Sequence, residues 1–90
     1  ELKPGDGYIT DSLSWVLFKK GSMKEALEAI KEAVRIVPDD AVIIEHAGDL
    51  YSAMNEKTAA LEFYQKAIDL DPNNVKLMEK VEKLIKEMGK

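Results

Sequence analysis

Cysteine is absent, so neither a disulfide framework nor a thiolate metal site can stiffen this chain, and thiol usage does not mark its redox compartment. Histidine and tryptophan each occur once, as His46 and Trp15. The apolar runs, such as Trp15-Val16-Leu17-Phe18 and Ala41-Val42-Ile43-Ile44, fall far short of the roughly 18 residues needed to span a bilayer. Membrane insertion is therefore not expected. Charge of one sign never accumulates: 13 Lys and Arg stand against 17 Asp and Glu, the net charge is -4, and no basic cluster is interleaved with aromatics. Nucleic acid is not an expected partner. The chain opens at Glu1 without an initiator Met, a basic n-region or an apolar h-region, so no signal peptide or lipidation motif is legible. It reads as a piece cut from a longer protein, with the targeting region elsewhere and the compartment undetermined.

What is present is hydrophobic content of 46% over 90 residues, enough for one modest domain. That content is periodic. Pro4, Pro38 and Pro72 stand 34 residues apart, each preceded two places back by Leu2, Ile36 or Leu70. The same period pairs Leu13 with Ala47, Leu17 with Tyr51, Ala26 with Ala60, Ile30 with Tyr64, Ala33 with Ala67 and Asp39 with Asn73. Each unit is broken again near its middle, at Gly21-Ser22 and at Asn55, so each reads as helix, turn, helix.

Ser22-Met23-Lys24-Glu25 fits a capping box, placing a helix start there. Stripes at helical spacing run through Ala26, Leu27, Ile30, Ala33, Val34 and Val37, and through Ala60, Leu61, Tyr64, Ala67 and Ile68. Pro38 and Pro72 end these helices, because the residue before proline is pushed out of the helical region, and Asp39-Asp40 and Asn73-Asn74 can cap the helices that follow. The spacing predicts helices over 8–20, 23–37, 41–54, 57–70 and 75–88. The fifth carries Leu77, Met78, Val81, Leu84, Ile85 and Met88. Glu82 replaces the small residue of the earlier units, and Lys76, Glu79, Lys80, Lys83 and Lys86 are expected to give this helix the polar outer face of a cap.

The pattern Leu13/Ala47, Ser14/Gly48, Leu17/Tyr51, Ala26/Ala60, Ile30/Tyr64, Ala33/Ala67, Pro38/Pro72 resembles the tetratricopeptide repeat. The second unit is the closer match, with Gly48, Tyr51, both Ala and a closing Asp71-Pro72-Asn73-Asn74; the first has Ser14 for Gly and Leu17 for the aromatic. The resemblance implies an all-α superhelical solenoid: the end of a preceding repeat at 1–6, repeats at 7–40 and 41–74, and a capping helix at 75–90. It also implies a protein-interaction scaffold that takes a partner peptide or helix in a concave groove lined by the first helix of each pair. Carried over residue by residue, that groove holds Tyr8, Asp11, Ser12, Trp15 and Lys19, then Val42, Glu45, His46, Asp49 and Ala53, with Lys76, Lys80 and Lys83 on the cap side. The run Asp11-Ser12-Leu13-Ser14-Trp15 before Gly21 resembles bacterial members, which occur in the cytoplasm and attached to membranes.

Within the groove, Asp11, Glu45 and Asp49 are either an ordinary solvated face or a recess favouring Lys or Arg on a partner. Trp15 offers indole area to a partner or packs between first helices. The clamp that some family members use for a C-terminal carboxylate is not expected, because Asp11 and Trp15 occupy its first Lys and Asn, His46 its second Asn, and only Lys76 and Lys80 keep positive charge. No enzyme is expected: His46 with two carboxylates supplies no recognisable metal-binding motif, no Ser or Cys is placed as a nucleophile, and no phosphate-binding loop is present, so no cofactor is implied. The alternative to a scaffold is a structural end segment that stiffens a longer array or self-associates through an apolar face left bare at residues 1–20.

Overall fold

The computed structural model describes residues 3–89, and Leu2 of the proline pattern, like Glu1 and Lys90, lies outside them. Five helices follow one another: α1 (Pro4–Lys19), α2 (Met23–Ile36), α3 (Ala41–Ala53), α4 (Lys57–Leu70) and α5 (Val75–Met88). There is no strand among the described residues. α1 packs on α2 and α3 on α4; the second pair stacks on the first through α2–α3 and α1–α3 contacts, and α5 lies against α4.

The mid-unit turns are built alike. Gly21, at φ 86°, follows α1, and Asn55, at φ 64°, follows α3. In the first turn Ser22 N–H donates to Leu17 O at 2.9 Å and Gly21 N–H to Phe18 O at 3.0 Å. In the second, Glu56 N–H donates to Tyr51 O at 2.9 Å and Asn55 N–H to Ser52 O at 3.0 Å. This is the paired closure of a helix end around one left-handed residue, a conformation that glycine and asparagine tolerate. The capping box expected at Ser22 is not formed: Ser22 precedes α2, but its side chain makes no capping hydrogen bond. The helix starts where the left-handed turn delivers the chain, so the hydroxyl is not needed to set it. At the other junctions the expected caps form. Asp40 accepts from Val42 N–H at 2.9 Å and Ile43 N–H at 3.1 Å, and Asn74 accepts from Leu77 N–H at 3.1 Å.

α1 begins four residues earlier than the spacing predicts. Proline is pre-organised for the first helical position, and Asp6 accepts a hydrogen bond from Lys3 N–H at 2.9 Å, so the first turn is already helical. The core runs through both pairs: Ala26, Ile30, Ala33, Ile43, Ile44, Ala47, Leu50, Ala60, Ala67 and Leu77 are fully buried. Each large aliphatic among them contributes about 1.5–3 kcal/mol. The small residues sit where helices close up. Ala26 and Ala60 are covered completely, and the ring of Tyr64 lies directly over Gly48. Lys76, Glu79, Lys83 and Lys86 of α5 are exposed, as a polar outer face requires, but apolar residues share that surface. Met78, Ile85 and Met88 are exposed by 39%, 51% and 40%, while Lys80 turns back toward α3. No helix covers α5 on the side away from α4 among the described residues, so the stripe that would pair with one is left in solvent.

Candidate functional site

Because each pair repeats the same turn and stacks through α1–α3 contacts, α1, α3 and α5 present side chains to a common face. Asp11 of α1 is buried, and its Oδ2 lies 2.6 Å from His46 Nδ1 on α3. The hydrogen bond from Asp11 raises the His46 pKa above the usual histidine value; burial opposes it, and the negative fields of Asp11, Asp49 and Glu45 add to it. The other carboxylate oxygen of Asp11 is buried without a partner among the described residues. Ser14 Oγ donates to the Asp11 carbonyl at 2.6 Å and is itself fully buried. Trp15 is half-buried and meets both Phe18 and His46 edge-on, with centroids 5.9 and 6.5 Å apart. It thus packs between first helices with part of the indole open.

Further along the face, Lys80 of α5 donates to Glu45 Oε2 at 2.6 Å and to Asp49 Oδ1 and Oδ2 at 3.0 and 3.1 Å. Burial works against the charged amine, but the hydrogen bonds to Glu45 and Asp49 outweigh it and hold the Lys80 pKa above its ordinary value. Asp49 also accepts from Tyr64 Oη at 2.6 Å. Burial, followed by that bond, drives the Tyr64 phenol well above its usual range. Tyr8 is half-exposed and donates to Asp40, the residue that caps α3. That bond is the leading cause holding the Asp40 carboxyl below its usual pKa.

The structure therefore gathers Asp11, Trp15 and His46 into one cluster and Glu45, Asp49 and Lys80 into a second, both on α3. Tyr8 is attached to α3 through the turn before it. Lys76, Ser12 and Lys19 are exposed and hydrogen-bond to none of these groups, and Val42 presents an exposed aliphatic surface. Two members were not visible as site residues in the sequence. Tyr64 reads as core, and Asp40 as a cap, since a repeat pattern shows which face a residue takes but not what the far end of its side chain reaches. No group of three or more metal-ligating side chains is assembled among the described residues.

The tetratricopeptide repeat family model matches residues 12–40 and 43–74. The chain belongs to the tetratricopeptide repeat family. These repeats are generally a non-catalytic protein-interaction fold. A chain titled MamA 41-end, from the bacterium Desulfovibrio magneticus RS-1, superposes with a TM-score of 0.81 at 19% identity, covering 92% of this chain and 47% of that one. The first repeat domain of Spaghetti (RPAP3), bound to HSP90 peptide SRMEEVD, superposes with a TM-score of 0.53 at 12% identity over 99% of this chain. Among curated proteins, Hsp70-Hsp90 organizing protein 2 of Arabidopsis thaliana is 29% identical over 72 residues. The matched part is 80% of this chain but 13% of that protein. The curated relative is a plant protein and the bacterial likeness is one of fold, so similarity does not confine the source to bacteria.

Proposed function

We propose that the chain is a protein-interaction scaffold whose α1/α3/α5 face is a concave groove receiving an extended segment or helix of a partner protein. We keep the division into repeats at 7–40 and 41–74 with a cap at 75–90. The observation that carries this reading is the two clusters of polar side chains that join three helices on one face, with the open part of Trp15 at their edge. Carboxylates outnumber cations there: Asp11, Glu45 and Asp49 stand against Lys80 and His46. That balance supports a partner segment carrying Lys or Arg. It also weighs against an acidic tail such as the peptide held by the RPAP3 repeat domain, because Asp11 and Asp49 would repel it.

The test is a titration of the chain with two peptides, one rich in Lys and Arg and the other SRMEEVD, following backbone amide shifts and Trp15 emission. The expected result is that the basic peptide moves Trp15, His46 and Asp49, that Asp49→Lys weakens it severalfold at low salt, and that SRMEEVD moves nothing. The proposal is overturned if neither peptide reaches those residues.

A second reading has its own support. Ile9, Leu13 and Val16 are exposed by 70%, 49% and 49%, whereas Ile43, Ala47 and Leu50, one period later, are fully buried against the first pair. The chain would then act as a structural end segment or self-associate through α1. Concentration-dependent shifts confined to α1 are the outcome that selects this reading.

A further inference from the structure

One period of 34 residues carries Asp11 to Glu45 and His46 to Lys80, so the α1/α3/α5 face holds the same joint twice. In each, a carboxylate on one helix meets a nitrogen on the next at 2.6 Å. The two nitrogens differ in chemistry. Lys80 is an amine, shared by Glu45 and Asp49 and charged throughout the neutral range. Imidazole is the side chain whose charge ordinarily changes near neutrality. His46 is also the sole side-chain partner of Asp11 among the described residues, and Asp11 is only 7% exposed, its second carboxylate oxygen buried and unpaired. Loss of the proton need not part the helices. Nδ1 faces Asp11, so the neutral ring can keep its one N–H there and release the proton of Nε2. What changes is the charge of the face. Asp11, Glu45 and Asp49 stand against two cations when His46 is protonated and against Lys80 alone when it is not.

We propose that His46 gates this groove by pH: a guest segment carrying Lys or Arg binds more tightly once His46 is neutral, and its binding expels the proton. The inference rests on the groove reading above and names the group that regulates it. The His46 side chain is 38% exposed and its ring meets the edge of Trp15 at 6.5 Å, so a guest lying on the indole is within reach of it. A guest cation is repelled by imidazolium, whereas a bare Nε2 accepts a hydrogen bond from it. The bond to Asp11 raises the His46 pKa and the guest lowers it, so affinity rises with pH between the two values. The surroundings supply no second switch. Asp11 faces the ring from α1, and Asp40, Glu45 and Asp49 from α3 and its cap. Lys80 of α5 is bound to Glu45 and Asp49, and no charged side chain of α2 bears on the ring. The phenol of Tyr8 is raised by its bond to Asp40, and that of Tyr64 on α4 by burial and its bond to Asp49. Carboxylates as a class titrate at about pH 4 and amines at about pH 10, which leaves imidazole to act between about pH 6 and 9.

The probe is a blocked peptide alternating Arg and Ala, whose charge is constant over this range. Its affinity for the chain is measured calorimetrically at low salt from about pH 6 to 9, in two buffers of different ionisation enthalpy. The His46 ring signals are titrated with and without it. The expected result is an affinity about fivefold higher at the top of the range than at the bottom, proton release on binding near the midpoint, and a His46 titration moved to lower pH in the complex. His46→Gln should bind with the parent's high-pH affinity throughout, and His46→Lys with its low-pH affinity. A pH slope equal in the parent and His46→Gln, or a His46 titration that the peptide does not move, would overturn the gate while leaving the groove in place. A peptide that shifts neither Trp15 nor Asp49 at any pH overturns the groove reading and the gate with it. The ring titration is read on the parent chain, so it decides the gate even where a variant unfolds.

Discussion

Replacing Gly48 by Ala sets two effects of opposite sign against each other, and the structure decides between them. Helix propensity alone favours Ala over Gly in a helix interior by about 1 kcal/mol. A Cβ at Gly48, however, would stand 2.6 Å from both Cδ1 and Cε1 of Tyr64 and 3.2 Å from Cγ, whereas carbon atoms prefer roughly 3.5–4.0 Å. The ring must move by about 1 Å to restore that spacing. It has little room, being 4% exposed, and its hydroxyl is held by Asp49 at 2.6 Å. Overpacking of this kind costs roughly 1–3 kcal/mol, and a hydroxyl pulled away from a carboxylate adds about 1.5 kcal/mol or more. The net loss is about 1.5–3.5 kcal/mol, which in a domain of this size lowers Tm by roughly 6–28 °C. Thermal unfolding by circular dichroism measures it. Gly5→Ala is the control, since nothing lies within 4 Å of a Cβ at that exposed helical position, and it should raise Tm. Gly48→Ala combined with Tyr64→Leu should recover most of the loss. If Gly48→Ala leaves Tm unchanged or raises it, the close approach of α3 and α4 does not exist and the packing argument fails.

Lys80→Met should leave Glu45 and Asp49 facing each other without their shared cation. The site is partly open to solvent, so the cost is about 1–2 kcal/mol, between the values for exposed and buried pairs. Asp49→Asn in that background should recover part of it, and a Lys80→Met protein as stable as the parent would contradict the pairing. His46 predicts a pH dependence: its folded pKa is raised by Asp11, so its stabilisation is fully present below about pH 6.5 and lost as pH rises through the folded value. Tm should therefore fall more steeply between pH 6 and 8.5 in the parent than in His46→Gln, and equal slopes would refute the His46–Asp11 contact.

The helices, their order and the stacking are legible in the sequence because a 34-residue period acts on backbone and core alike. Proline, left-handed Gly21 or Asn55, and buried Ala26 or Ala60 are constraints of position, and position is what a repeat records. Where a local interaction competes with the period, the reading fails. Asp6 and proline extend α1 into a segment whose counterpart at Pro38 is a turn, and the left-handed residue makes the Ser22 cap unnecessary. The candidate site is legible as a face but not as a network. Asp11 and His46 are 35 residues apart, as are Glu45 and Lys80. One period of 34 residues carries Asp11 to Glu45 and His46 to Lys80, so the second pair repeats the first; each bond depends on the rotation of one helix against the next, which the period alone does not show. Tyr64 shows the same limit. Its ring follows the core pattern, while its hydroxyl reaches a carboxylate on another helix.

The bonds from Tyr8 to Asp40, from His46 to Asp11 and from Lys80 to Glu45 and Asp49 all cross from one helix pair to the next. The joints that fix the pitch of the superhelix are thus on the side where a guest would be held. A guest competing for those carboxylates would loosen the hinge it rests on, whereas one that used only the indole edge, Val42 and the exposed ammonium of Lys76 would leave the curvature intact. In the proposed groove stiffness and recognition would draw on the same few atoms, and selectivity would follow from which of them a guest leaves alone.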